Sequence, residues 1–239
     1  MNQAPTRSKL VTVGGVLSLI ILLALPLSVV IVRSGQWQMG LGLYALSCAA
    51  AVLMMILFII LLLLSRFNAQ RADILKRAVL VLPGTFLLVT LVAGRGDAPP
   101  IHDISTDTVD PPAFSAAGAL RGENANPLTI KPESIAMQIQ SYPRLTTLRN
   151  TDSLDTNFDR ALATAKALGW DVYHQDRDSG TIEAVDTTAI MNFKDDVVIR
   201  LRSKDSETLI DLRSVSRIGV GDIGANAKRI RAFQQQFSA

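Results

Sequence analysis

The sequence predicts a three-helix transmembrane anchor followed by a soluble α+β domain, a four-stranded antiparallel sheet with two helices packed on one face. Two observations lead to this fold class. The long uncharged apolar runs of the 239-residue chain lie in its first 95 residues, and later segments alternate between apolar and polar residues. We therefore divide the chain into a membrane domain (1–95), a proline-rich extended connector that belongs to the soluble domain (96–150), and an α+β core (151–239).

Three uncharged segments near the N-terminus are long enough to be membrane spans. A helix rises about 1.5 Å per residue, so about 20 apolar residues cross a hydrocarbon core of roughly 30 Å. We predict transmembrane helices at about 10–32, 40–64 and 78–94. A signal peptide is the alternative for the first segment, but the apolar run is too long for one and no clear cleavage site follows Val32.

Basic residues flank these spans asymmetrically. The N-terminal side and the loop between the second and third spans contain most of them, namely Arg7, Lys9, Arg66, Arg71, Lys76 and Arg77. The opposite side has only Arg33 and Arg95. Because basic residues concentrate in cytoplasmic loops, we predict a multi-pass protein of the cytoplasmic membrane with a cytoplasmic N-terminus and a periplasmic C-terminal domain.

The charge distribution supports the bilayer rather than nucleic acid as the partner of the basic residues. The chain carries a formal net charge of +3, but Lys and Arg outnumber Asp and Glu only in the anchor. The soluble part is acidic, so we expect no nucleic-acid binding. The single cysteine, Cys48, lies in the second predicted span, so the soluble domain is expected to fold without a disulfide.

Regular structure in the soluble part is predicted from about Ser153. Apolar residues recur at helical spacing up to Gly169, and a second helix begins near Asp222. Between the helices, alternation predicts two hairpins, which pair 170–175 with 181–187 and 196–202 with 208–217. The connector before Ser153 is rich in proline, and we expect it to wrap the domain with Phe114 and Leu145 as anchors.

A cluster of basic residues is the main candidate binding site. Arg200 and Arg202 share the outer face of the third strand, and Arg213 and Arg217 share that of the fourth. A glycine-containing segment then leads into the last helix. The candidates for binding an anion or another ligand are Arg200, Arg213, Arg217, Asn226 and Arg229. The alternative is a solvated face of ion pairs with Asp171, Glu183 and Asp211, and a helix capped by Asp222.

A second candidate site is polar. His102, Asp103 and Asp107 provide an imidazole and oxygen ligands at close spacing, which suits a hard cation or acid–base chemistry. Turn-forming side chains explain the same composition. The adjacent Asp195 and Asp196 point to opposite faces of a strand, which argues against an acid–base pair. We expect no catalytic set, no metal site and no cofactor.

The soluble part resembles the domain-of-unknown-function 1499 family, which is found in bacteria and photosynthetic lineages. The matching stretches are His102–Asp107, Pro111–Phe114, Gly169–Trp170, Gly180–Ala184, Phe193–Arg200 and Asp211–Gly219, followed by Asp222, Gly224, Asn226, Arg229 and Ile230. Residues 189–192 depart from the family pattern, since a phenylalanine and a glycine are expected there. The resemblance implies a complete domain of this family behind the anchor, and it brings no activity with it.

Two classes of function follow. The leading hypothesis is a non-catalytic binding or envelope-structural module, whose ligand is an envelope protein, a lipid headgroup or a small anion. The alternative is a hydrolase or a metal-dependent enzyme that acts on an envelope substrate through His102, Asp103 and Asp107, with Arg213 as an anion clamp. This alternative requires the connector to fold back until His102 approaches Arg213 or Arg217.

Overall fold

A computed structural model describes residues 8–239 of the chain. Arg7 and the side chain of Arg95, two of the basic residues from which the membrane orientation was predicted, lie outside the described residues. The contacts divide the chain into two compact units, Met1–Gly96 and Asp97–Ala239. The first unit contains the apolar helices and the second contains the sheet.

The first unit consists of three long helices. They are α1 (Lys9–Arg33), α2 (Trp37–Leu63) and α3 (Arg71–Arg95), with a short 3-10 helix (Ser65–Gln70) before α3. All three are long and apolar enough to cross a membrane, as the sequence predicts. The second and third begin earlier than the predicted spans. Pro83 lies inside α3 without ending the helix.

Small residues allow these helices to approach each other closely. A Cβ added to Gly40 of α2 would lie 2.7 Å from the backbone nitrogen of Val32 in α1. One added to Gly84 of α3 would lie 2.7 Å from the Cβ of Ala51 in α2. Helices in a bilayer associate through such van der Waals contacts because lipid offers no hydrophobic driving force between them. A larger residue at either position would therefore clash with the neighbouring helix.

The second unit contains a six-stranded antiparallel sheet, so the prediction of four strands was wrong. The strands are β1 (Asp103–Ser105), β2 (Leu148–Asn150), β3 (Asp171–Asp176), β4 (Thr181–Thr187), β5 (Lys194–Lys204) and β6 (Glu207–Ser216). The order is β1-β6-β5-β4-β3, and β2 also pairs with β6. The four expected strands form the two expected hairpins.

The two additional strands come from the segment that was expected to be an extended connector. Each has three residues, and both pair with the free edge of β6, β1 beside residues 213–215 and β2 beside residues 208–210. Two helices of the same segment, α4 (Ala117–Leu120) and α5 (Pro132–Ser141), were also not predicted. Strands this short lack a period of their own, so long-range pairing with β6 determines them.

The inner face of the sheet packs against two helices, as predicted. These are α6 (Leu154–Ala167) and α7 (Ala225–Phe237). Ser153 caps α6 by accepting a hydrogen bond from the N–H of Thr156 at 3.2 Å, and Gly169 follows α6 with φ of +81°. Burial of the apolar strand faces against α6 and α7 forms the core, which includes Phe158, Ile182, Val197, Ile199, Leu212, Ile230 and Phe233.

The outer face of the sheet is not open to solvent. Its polar residues Glu183, Asp196 and Asp211 have no exposed surface, and Arg213 is 4% exposed. The connector between β1 and α5 lies over this face, as the hydrogen bonds described below show. The prediction of a solvated face was therefore wrong, because contacts with residues about 100 positions away in the sequence bury it.

Candidate functional site

Two arginines of β5 and three carboxylates form one cluster on the outer face. Arg200 and Arg202 bind Asp211 of β6, with Nη2–Oδ2 distances of 3.2 and 2.7 Å. Asp107 and Asp110 of the connector lie 3.0–3.3 Å from the same guanidinium groups. Two positive charges thus face three negative charges of the protein itself. The charge of Arg200 is consequently neutralised by carboxylates of the protein, which disfavours the binding of an external anion there.

Arg213 of β6 is enclosed by the connector. Its Nε and Nη2 bind the two carboxylate oxygens of Asp103 at 3.0 and 2.8 Å, a bidentate arrangement. The carbonyl oxygens of Pro112 and Leu128 accept further hydrogen bonds from its guanidinium group. The ring of Phe114 lies 5.4 Å from the guanidinium carbon. Arg213 therefore fastens β1 and the connector to the sheet.

Asp196 of β5 joins two arginines in a third cluster. Arg217 donates to it from Nε and Nη2 at 3.0 and 2.7 Å, and Nη1 of Arg121 lies 3.0 Å away. Arg217 also donates to the carbonyl oxygen of Leu120 at 3.1 Å. The neighbouring Tyr173 has a strongly raised pKa because of its burial and then because of the negative charge of Asp196. Its hydroxyl therefore stays neutral and can donate.

Arg229 of α7 lies on the inner side of the sheet. Its Nε binds Asp186 and its Nη2 binds Asp195, both at 2.6 Å. Its Nη1 donates to the side-chain oxygens of Asn226 and Ser214 at 2.6 and 3.0 Å. These bonds hold the N-terminal part of α7 against β4, β5 and β6. Asp195 and Asp196 point to opposite faces, as the sequence predicts.

The N-terminus of α7 is occupied by the protein's own groups. Asn226 is fully buried, and its Nδ2 donates to the carbonyl of His102 at 3.0 Å and to the hydroxyl of Ser216 at 2.9 Å. The Asp222 carboxylate accepts hydrogen bonds from the N–H groups of Gly224 and Asn226 at 2.8 and 2.6 Å. Burial raises the pKa of Asp222 despite these bonds. The predicted helix cap is confirmed, and it fills the position where an anion would bind.

The residues of these clusters include many of those on which the family resemblance rests. The sequence model of the family described as protein of unknown function (DUF1499) matches residues 103–237, which is more than half of the chain. The chain belongs to the DUF1499 family. No curated protein matches it.

Glu183 holds the connector of the DUF1499 domain in a different way. It was expected to pair with arginines, but instead its carboxylate accepts the N–H groups of Ser115, Ala116 and Ala117 and the hydroxyl of Tyr173 at 2.5–3.3 Å. Burial opposes its ionisation, but the hydrogen bonds from residues 115–117 outweigh burial and lower its pKa. Glu183 thus carries a buried negative charge that caps α4.

The polar candidates separate in the structure. Asp103 and Asp107 reach the outer face and bind Arg213 and Arg202. The ring of His102 instead donates from Nδ1 to the carbonyl oxygen of Val220 at 3.3 Å. The connector does fold back, but the three side chains do not converge on one point. Within residues 8–239, no group of three or more His, Cys, Asp or Glu side chains is arranged to hold a metal ion.

Several residues of these clusters were not singled out from the sequence as ligands of the arginines. They are Asp103, Asp107, Asp110, Asp186, Asp195 and Asp196, and Arg121 was not singled out as a partner of Asp196. An excess of acidic residues in the soluble part was the available signal, since buried arginines require matched carboxylates. The pairing itself depends on the course of the connector and could not be deduced from strand alternation.

An open cleft borders the Arg200–Arg202 cluster at the end of the sheet. It has a volume of about 550 Å³ and lies between residues 106–109 and 146–149. Its polar lining residues are Thr106, Asp107, Thr108, Thr146, Thr147, Arg149, Arg202 and Lys204. Arg149 pairs with Glu207 at 2.9 Å. Among residues 8–239, no carboxylate forms an ion pair with Lys204, so its ammonium group is not held by a partner of the protein itself.

Proposed function

We propose that the protein is an integral protein of the cytoplasmic membrane that displays its DUF1499 domain on the periplasmic side as a non-catalytic binding module. The three apolar helices support the membrane location. The concentration of basic residues around the loop between α2 and α3 supports the orientation. The proposed ligand is a small anionic group, bound in the cleft that contains Lys204.

The state of the ionisable side chains favours binding over catalysis. A general base needs a carboxylate or imidazole free to take a proton from the substrate. Asp103 is bound by Arg213 on both oxygens, and Asp107 is shared by Arg200 and Arg202. Hydrogen bonds from the connector backbone and from these arginines lower the pKa of Asp107 against the opposing effect of burial. These groups therefore serve to hold the connector on the sheet.

The cleft provides the observation that carries the proposal. Lys204 is exposed at the end of β5, and the hydroxyl-bearing side chains of Thr106, Thr108 and Thr147 line the same space. The hydroxyls of Thr106 and Thr147 already donate to Asp211, so the Lys204 ammonium group is the main donor that the cleft offers to phosphate or carboxylate oxygens.

Calorimetric titration of the full-length chain would test this site. We would titrate inorganic phosphate and, separately, a short-chain phosphatidylglycerol into protein held in uncharged maltoside micelles. Wild-type protein should bind at least one of them, and Lys204→Gln should lose the heat of binding because the ammonium charge is removed. Binding of phosphate alone would indicate a free anion as the ligand, and binding of the lipid alone would indicate a headgroup.

Lys166→Gln is the matched control for this experiment. Lys166 is also an exposed lysine of the same domain, but it lies in α6 and does not line the cleft. The control should bind as the wild type does. Absence of binding to both ligands, or equal binding by the Lys204→Gln variant, would refute the anion site and leave an envelope protein as the partner to test.

A further inference from the structure

The loop between β6 and α7 exposes two large aliphatic side chains. Val220 is 80% exposed and Ile223 is 51% exposed. Between them, Gly221 has no side chain and Asp222 is directed inward, where it caps α7. The exposed rim of residues 220–223, which we call the apolar rim, is therefore formed by uncharged groups. Its exposure in water is unfavourable, since apolar surface is stabilised by transfer out of water.

The backbone of the apolar rim is strained at one of these residues. Ile223 has φ of +56°, in the left-handed region. A β-branched residue is rarely found in this region, where glycine or asparagine is accommodated more easily. The fold thus holds a large apolar side chain outward at a position that suits a smaller or polar residue. Strain is often stored at residues that contact a ligand, so Ile223 is a candidate contact residue.

The apolar rim rests on the segment that follows the third helix. The N–H of Asp222 donates to the carbonyl oxygen of Ile101 at 3.3 Å, and Nδ1 of His102 donates to the carbonyl oxygen of Val220 at 3.3 Å. A Cβ on Gly221 would lie 3.0 Å from the Cα of Pro100, so the two backbones touch. Three contacts therefore fix the loop to residues 100–102.

Those residues cannot be far from a membrane that α3 crosses. The helix ends at Arg95, and Pro100 is five residues further along the chain. An extended chain covers at most about 3.5 Å per residue, so Pro100 lies within roughly 18 Å of the end of the helix. The nearest extended apolar phase available to Val220 and Ile223 is consequently the bilayer itself.

We propose that the apolar rim inserts into the headgroup region of the membrane that anchors the chain. Aliphatic side chains on a rigid loop can enter this region while the backbone stays with the polar headgroups. The contact would fix the orientation of the DUF1499 domain on the membrane surface. This inference holds for either orientation of the spans and does not depend on the binding of an anion in the cleft that contains Lys204.

Site-specific labelling would measure the contact in the full-length chain. In a Cys48→Ser background, Val220→Cys would be labelled with an environment-sensitive fluorophore and reconstituted in nanodiscs that contain lipids spin-labelled near the headgroup. Val109→Cys is the matched control, because Val109 is an exposed valine of the same domain, 94% exposed, in the anion cleft. We expect quenching by the spin label to be at least about twofold greater at residue 220 than at residue 109.

A second variant separates lipid contact from simple proximity. Ile223→Asn, added to the labelled Val220→Cys protein, keeps a residue that tolerates positive φ and removes the aliphatic group. It should reduce the quenching at residue 220 and shift the fluorophore emission towards that of an aqueous environment. Equal quenching at residues 220 and 109, or quenching that Ile223→Asn leaves unchanged, would overturn the proposal.

Discussion

Asp103 and Arg213 form a bidentate ion pair between residues that are 110 positions apart in the chain, with N–O distances of 3.0 and 2.8 Å. Both side chains are buried, with 7% and 5% of their surface exposed. The pair links β1, the first strand of the domain, to β6, the strand that pairs with three neighbours. Its formation therefore requires the connector to be in place over the sheet.

Removal of one partner should destabilise the domain strongly. Asp103→Asn leaves the Arg213 guanidinium buried without its counter-charge, and breaking a buried pair in this way costs about 3–5 kcal/mol. We expect a loss of that size in the free energy of unfolding. Denaturant unfolding of the full chain in maltoside micelles, followed by the fluorescence of the buried Trp170, would measure it.

The exposed pair between Arg149 and Glu207 provides the control. Its side chains are 59% and 37% exposed, so water already solvates both charges. Glu207→Gln should therefore change the free energy of unfolding by no more than about 1 kcal/mol. Similar losses in Asp103→Asn and Glu207→Gln would contradict the role assigned to the buried pair.

The same ion pair shows where sequence reasoning succeeded and where it ended. Alternation correctly placed Arg213 of β6 and Arg217, the residue that follows β6, on the same side of the sheet, because side chains of a strand alternate with a period of two. It could not show what covers that face. The covering residues lie in a segment with many prolines and no helical or strand period, so only the folded chain brings Asp103 to Arg213.

The secondary-structure elements likewise divide into those that local sequence specifies and those that depend on long-range contacts. The hairpin of β5 and β6 and helix α6 were predicted, since a local turn and the helical spacing of apolar residues specify them. In contrast, β1 has only three residues, and the side of β1 that faces away from β6 is held by the side chain of Gln138. The amide oxygen of Gln138 accepts a hydrogen bond from the N–H of Ser105 at 3.0 Å, and its amide nitrogen donates to the carbonyl oxygen of Ser105 at 2.5 Å. No local pattern encodes a strand that is stabilised in this way.

Acid should weaken the domain through Glu183. The folded-state pKa of this carboxyl is lower than its ordinary value of 4.5, so ionised Glu183 stabilises the fold above that pH. The contribution is lost as the pH falls below 4.5 and through the lowered pKa, where the carboxylate is protonated and can no longer accept every hydrogen bond offered by residues 115–117. We expect the free energy of unfolding to decrease over this acidic range.

Comparison with Glu183→Gln would isolate this contribution. The variant has no charge to titrate at this position, so its unfolding free energy should be lower than that of the wild type at pH 7 and should depend less on pH between about 5 and 3. Asp107 also has a lowered pKa and titrates in both proteins, so its effect cancels in the difference. Parallel pH profiles of the two proteins would show that Glu183 is not the group responsible.

Relief of the backbone strain at Ile223 should increase the free energy of unfolding, whereas the substitutions described above should decrease it. A residue other than glycine at φ of +56° costs about 1–3 kcal/mol, whereas glycine loses about 0.5–1 kcal/mol of conformational entropy on folding. Ile223→Gly should therefore stabilise the full chain by about 0.5–2 kcal/mol in the micelle unfolding assay. Val220→Gly is the control, since Val220 has no positive φ and the same change there should destabilise. A stabilised Ile223→Gly protein would show that the isoleucine costs the domain stability, as expected of a residue that serves a contact outside the domain, and a destabilised one would remove that argument.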